Sequence, residues 1–100
     1  HLGQGDARPE AVRARVGDRL LIGCSTHNAA QLAAALGEPV DYIAVGPVFG
    51  TTTKANPDPA TGTGLLGEAA RLSTGRPIVA IGGVNRANAG EALAAAPNSP

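Results

Sequence analysis

The residues able to do chemistry gather in four short stretches: HLGQGD (His1 to Asp6), STHN (Ser25 to Asn28), GPVFGTTTK (Gly46 to Lys54) and GGVN (Gly82 to Asn85). The third is the densest, with Thr51, Thr52 and Thr53 directly before Lys54. Hydroxyl, amide and ammonium donors around one point suit a phosphate or pyrophosphate. A solvated turn held by hydroxyl-to-backbone bonds would also use threonines, but it has no need of an adjacent cation. Gly82 and Gly83 either make a tight strand-to-helix turn or let bare amides approach a phosphate at a helix N-terminus. Ser25 can donate to an anion. Asn28 reads as a helix cap, and His27 as a rim or core histidine without a visible acid partner. Asp6 either caps the coming helix, with Gly5 at positive φ, or offers Mg²⁺ a hard oxygen ligand.

Such side chains need regular elements to hold them. RPEAVRARVG reads as a short helix, with Pro9 near its start, Val12 and Val16 on one side and Gly17 as a stop signal. RLLIGCS, Arg19 to Ser25, is a short apolar run bounded by a polar turn and predicts a strand covered on both faces. Asn28 can cap the helix NAAQLAAALG, where Ala29, Leu32, Ala33 and Leu36 share a stripe and Gly37 ends it. VDYIAVG, Val40 to Gly46, is the next buried strand, and a Thr/Pro/Asn/Asp/Gly loop follows it to about Gly62. GLLGEAARLS predicts a helix with Leu65, Leu66, Ala69 and Leu72 facing inward. RPIVAIGG is a third strand, and NRANAGEALAAA a helix capped by Asn85. This alternation implies an α/β fold with a parallel sheet and right-handed crossovers, as either a barrel or an open doubly wound sheet. In each unit the polar stretch follows the carboxyl end of a strand, the rim on which parallel α/β folds place their sites. Four clusters on one rim, two of them suited to an anion, predict a phosphorylated ligand.

Composition narrows the class. Hydrophobic residues make up 43% of the 100, enough for one modest core in a single globular domain. Eight basic residues balance eight acidic ones, and Tyr42 and Phe49 are the only aromatics of the Phe, Tyr and Trp set. No basic footprint or base-stacking platform for nucleic acid is present. Cys24 has no second cysteine to pair with, and its LLIGC setting predicts a buried reduced thiol. No stretch approaches the roughly 20 apolar residues needed to span a bilayer, so the expected compartment is the cytoplasm.

HLGQGD, IGCSTHN, DYIAVGPVFGTTTK and PIVAIGGVN follow the order and approximate spacing of the thiamine-phosphate synthase family, and the resemblance runs over residues 1 to 96. The GPVF-x-T-x-TK string is its most specific element. The resemblance implies a (β/α)₈ TIM barrel, of which this chain would be part of the second half, since a complete barrel needs roughly 200 residues or more. It implies a Mg²⁺-dependent transferase. Hydroxymethylpyrimidine diphosphate would be joined to hydroxyethylthiazole phosphate, giving thiamine phosphate and pyrophosphate through a pyrimidine-methyl carbocation. By the same resemblance, Asp6 matches a Mg²⁺-binding aspartate, and Ser25 and Lys54 match residues that hold the departing pyrophosphate. Thr51, Thr52 and Thr53 match the segment contacting the thiazole phosphate, to which Gly83 offers a backbone amide.

The chain departs from the family at Gly5, where an acid is usual, and at Gly50, where a proline is frequent. It starts at His1 rather than Met and ends in APNSP after a helical alanine run, which reads as a piece of a longer chain. The family's N-terminal strands, with its first Mg²⁺ aspartate, and its last strand are expected to lie outside it. Alone, the polypeptide is expected to be poorly stable and inactive, because faces meant to seal a barrel would be open. Thiazole tautomerases share the barrel and the IGG turn but are expected to lack the TTTK string, so Thr53 and Lys54 favour the synthase. A non-catalytic phosphate-binding remnant is the alternative from another class.

Overall fold

A computed structural model describes residues 1–49, 61–73, 75–82 and 84–95. Helix α1 (Pro9–Val16) leads to strand β1 (Gly23–Thr26), then helix α2 (Ala29–Leu36), β2 (Tyr42–Val45), α3 (Gly62–Leu72), β3 (Ile78–Ala80) and α4 (Ala89–Ala95). The strands form one parallel sheet in the order β1-β2-β3, with Gly23 opposite Tyr42 and Ile43 opposite Ile78. Leu2 adds a parallel rung outside β1: its N–H donates to the Gly23 carbonyl at 2.8 Å and its carbonyl accepts from Ser25 N–H at 3.0 Å. The expected α/β alternation and parallel pairing are therefore present.

Local chemistry sets the helix ends. Pro9 and Glu10 occupy the first turn of α1 and Arg13 and Arg15 its last, in the sense that complements the helix dipole. Gly17, at φ 57°, closes the helix by donating to the Arg13 carbonyl at 2.8 Å. Asn28 caps α2 as its sequence implies, with Oδ1 accepting from Gln31 N–H at 2.8 Å. Asn85 Oδ1 accepts from the N–H groups of Ala87 and Asn88, while the continuous helix α4 begins four residues later, at Ala89.

The strands are shorter than the apolar runs. Leu20 and Leu21 are exposed, whereas the expected strand included both. The Leu20 carbonyl accepts from Arg13, and the Ile22 N–H donates to Asp41 Oδ2 at 2.7 Å, so side chains satisfy this backbone before the β1–β2 ladder begins. Arg13 also donates to Asp41 Oδ2 at 2.7 Å, tying α1 to the entry of β2. These two donors hold the Asp41 carboxyl below its ordinary range, the Arg13 bond contributing most.

Pleating sends Cys24, Thr26, Ile43, Val45 and Ile78 to one face; all are buried, and the four apolar ones form one cluster with Leu32 and Ala35 of α2 and Leu66 and Ala69 of α3. The buried stripe of α2 thus runs through Ala35 rather than the exposed Ala29 and Ala33, and Leu72 of α3 is exposed. The opposite face carries Ser25, Tyr42, Ala44 and Val79, of which only Ala44 is buried. Coverage on both faces is not what these residues adopt: the helices of the core cluster lie on one side. Cys24 is the buried thiol expected, and burial pushes its pKa up.

Candidate functional site

The polar stretches meet at the carboxyl ends of the strands because successive rim segments hydrogen-bond to one another. On the β1 side, Leu2 and Gln4 grip the backbone of Ser25. Its N–H donates to Leu2, and its carbonyl accepts from Gln4 Nε2 at 2.6 Å, where a continuing strand would have offered an amide. Between them, Gly3 N–H donates to Asp6 Oδ2 at 2.7 Å, and Asp6 N–H returns to the Gly3 carbonyl at 3.1 Å. Asp6 therefore closes its own turn. The helix-cap expectation is corrected, since Arg8 stands at the cap of α1 without a side-chain bond, and Gly5 is not among the positive-φ glycines. Asp6 is exposed, and Oδ1 is left for a ligand.

Beyond β2 the rim is drawn tight. His27 Nδ1 contacts the Gly46 carbonyl at 2.5 Å and the His27 backbone N–H donates to Gln31 Oε1, so His27 has the structural place its neighbours implied. A Cβ on Gly46 would overlap the Ile81 carbonyl, and one on Gly82, at φ 86°, would overlap Pro47. Glycine at both positions lets the segment after β2 lie on the turn after β3. Val48 and Phe49 N–H groups donate to the carbonyls of Ile81 and Gly82 at 2.8 and 3.1 Å. Thr61 and Gly62 N–H groups donate to Pro47 and Val48 at 2.7 and 2.9 Å. Both Phe49 and Thr61, the described residues flanking 50–60, are therefore bonded into this rim. Thr51, Thr52, Thr53, Lys54 and Gly83 lie outside the described residues.

Of the residues singled out by sequence, then, Asp6 and Ser25 are brought to one segment, Leu2 to Gln4. Two neighbours escaped the sequence reading. His1 Nε2 lies 2.6 Å from Ser25 Oγ, and His1 Nδ1 lies 3.0 Å from the Tyr42 hydroxyl. Only the fold reveals these pairings, although His1 and Gln4 sit in a stretch already marked by Asp6. A cavity of about 280 Å³ opens between α1 and α2, bordered by Gln4, Asp6, Arg8, Cys24, Gln31 and Glu38. Ser25 is not on its wall.

Among the described residues no three His, Cys, Asp or Glu side chains converge on a metal position. That donor set still fits Mg²⁺ in one respect, because the ion is commonly held through one or two carboxylates plus substrate phosphates and water. Asp6, with one oxygen tied to Gly3 and one open, can be such a ligand.

Known proteins resemble this arrangement along nearly its whole length. The family described as thiamine monophosphate synthase matches residues 1–97. The thiamine-phosphate synthase of Koribacter versatilis is 49% identical over 88 residues, which are 88% of this chain and 41% of that protein. The one from Lysinibacillus sphaericus is 40% identical over 89 residues, again 41% of its length. In three dimensions, thiamine phosphate pyrophosphorylase from Pyrococcus furiosus superposes with a TM-score of 0.78 at 31% identity, covering 94% of this chain and 43% of that one. The chain spans about two fifths of these proteins. Matched from its first residue through Ala96 and Pro97, it belongs to the thiamine monophosphate synthase family.

Proposed function

We propose that this chain is the phosphate-gripping part of a cytoplasmic thiamine-phosphate synthase. The transferase joins hydroxymethylpyrimidine diphosphate to hydroxyethylthiazole phosphate. The bond from the pyrimidine methylene to the diphosphate oxygen breaks, a bond from that methylene to the thiazole nitrogen forms, and pyrophosphate leaves. The substrates are small molecules, with no role for nucleic acid. One observation carries this reading. One short segment holds both a hydroxyl donor and an open carboxylate: Leu2 and Gln4 bind the backbone of Ser25, and Gly3 between them binds Asp6.

In this mechanism the protein supplies no nucleophile. Ser25 donates a hydrogen bond from its hydroxyl to an oxygen of the leaving pyrophosphate, and Lys54 offers that group a positive charge, so both stabilise charge as it develops. Thr51, Thr52, Thr53 and the Gly83 amide hold the thiazole phosphate, which keeps the attacking nitrogen in line. Asp6 would be one ligand of Mg²⁺, which when bound adds cationic charge at the pyrophosphate. The barrel is completed by segments corresponding to the rest of the family's length, and the isolated chain is inactive.

A graft tests the proposal, with residues 1–97 replacing the matching segment of the Koribacter versatilis enzyme. Expressed in a bacterium lacking its own thiamine-phosphate synthase, the graft should restore growth without thiamine. Abundant, folded graft that fails to rescue, where the parent enzyme succeeds, would refute the assignment.

A further inference from the structure

Ser25 shares the open face of the sheet with two groups to which no function has been given. Its Oγ lies 2.6 Å from His1 Nε2, and His1 Nδ1 lies 3.0 Å from the Tyr42 hydroxyl. The two rings stack, with centroids 5.8 Å apart and planes 25° from parallel. The Tyr42 ring lies over Gly23, where any Cβ would collide with it. Two features of the fold assemble the trio: the Leu2 rung, which brings His1 beside β1, and the Gly23–Tyr42 register.

We propose that His1 and Tyr42 are positioning residues, forming a relay that turns the Ser25 hydroxyl outward as a donor to a pyrophosphate or phosphate anion. The inference rests on the anion-binding role of Ser25 proposed above. A neutral imidazole has one N–H and one acceptor nitrogen, so the hydrogen bonds can run in only two senses. In the first, Tyr42 O–H donates to Nδ1, Nε2–H donates to Ser25 Oγ, and the Ser25 proton is free for the ligand. In the second, Ser25 donates to Nε2 and Nδ1–H donates to Tyr42, leaving Ser25 only lone pairs to present to an anion.

Two facts select the first sense. A phenol, with an ordinary pKa of about 10, is a much stronger donor than a serine hydroxyl. A bare anion accepts and does not donate, so its binding favours the state in which the Ser25 proton is available. The backbone of Ser25 is already fixed by Leu2 and Gln4, so what the relay controls is the direction of one O–H bond.

Nitrogen NMR on histidine-labelled chain, with and without inorganic pyrophosphate, reads which His1 nitrogen carries the proton. The Nε2–H form is expected, and pyrophosphate should enrich it. Calorimetric titration with pyrophosphate then compares Ser25→Ala, Tyr42→Phe and His1→Phe, the last two retaining a ring in place. Ser25→Ala should weaken binding about tenfold to a hundredfold, the range of a hydrogen bond to a charged group, and each ring variant about threefold to tenfold, the range of one neutral hydrogen bond. Neither ring variant should weaken it further in a Ser25→Ala background. An Nδ1–H form with pyrophosphate bound overturns the relay. So do ring-variant effects that are absent, or that persist undiminished without Ser25, and in those cases the anion role of Ser25 stands. If Ser25→Ala itself leaves the affinity unchanged, both that role and the relay fall. The same measurements on the graft decide the matter should the isolated chain not remain folded.

Discussion

At the scale of single residues, the site depends on small groups placed where larger ones cannot go. Gly23 is the clearest case, because the Tyr42 ring occupies the space a Cβ would need. Gly23→Ala should displace Tyr42 and break its bond to His1 while leaving Ser25 on β1. The expected result is loss of the Nε2–H preference of His1 in NMR, and an unchanged His1 signal would contradict it. Cys24 supplies a second check. Its thiol is buried and its pKa raised by burial, so a thiol reagent should modify it far more slowly in folded protein than in urea. Equal rates in the two states would mean that β1 does not pack as described. Ser25 and Asp6 could be proposed from the sequence because their types suit an anion and a cation. His1 and Tyr42 were not, since their roles depend on partners 24 and 41 residues away.

At the scale of elements, caps and ion pairs place the rim, and their effects are separable. Asn28→Ala removes the side-chain cap of α2 and should cost about 1 kcal/mol by urea denaturation. No loss would mean that Asn28 only occupies the cap position. The Asp41 carboxylate stabilises the fold through Arg13 and the Ile22 N–H, which lower its pKa in the folded state. Its contribution is therefore full at pH values above the unfolded carboxyl pKa of about 3.9 and is lost as pH falls through the lower folded value. The melting temperature of Asp41→Asn should lie below that of the parent at pH 7, and the gap should close in acid. A gap that is constant from pH 7 to acid would contradict this linkage. Strand centres and the Asn28 cap were readable because apolar runs and capping residues act locally. The start of β1 was not. LLIG is apolar whether or not it is paired, and it is Arg13 and Asp41, distant in sequence, that end the ladder at Gly23.

At the scale of the whole molecule, the sheet has helices of the core cluster on one side, with Ser25, Tyr42 and Val79 half-buried on the other. Ile81 and Val84, just past the end of β3, are exposed as well. Open apolar surface of this kind costs stability or invites association. The isolated chain should unfold at lower urea than the graft, and equal midpoints would mean that the open face needs no cover. The parallel α/β order was legible because alternating strand and helix patterns permit few topologies. The uncovered face was legible only through the family resemblance, which implied a barrel larger than this chain; the apolar runs alone predicted strands covered on both faces, because a buried-strand pattern records the surroundings in which a sequence evolved. The central claim, that this rim serves synthesis of thiamine phosphate, is tested most directly by one rate. Thiamine phosphate formation by the purified graft should be measured in Mg²⁺ with hydroxymethylpyrimidine diphosphate and hydroxyethylthiazole phosphate, for the parent sequence and for Lys54→Ala. The account predicts turnover by the graft and loss of most of it, about a hundredfold or more, on removing the cation at the leaving group. A folded graft that binds both substrates yet forms no product, or one whose rate ignores Lys54→Ala, would contradict it.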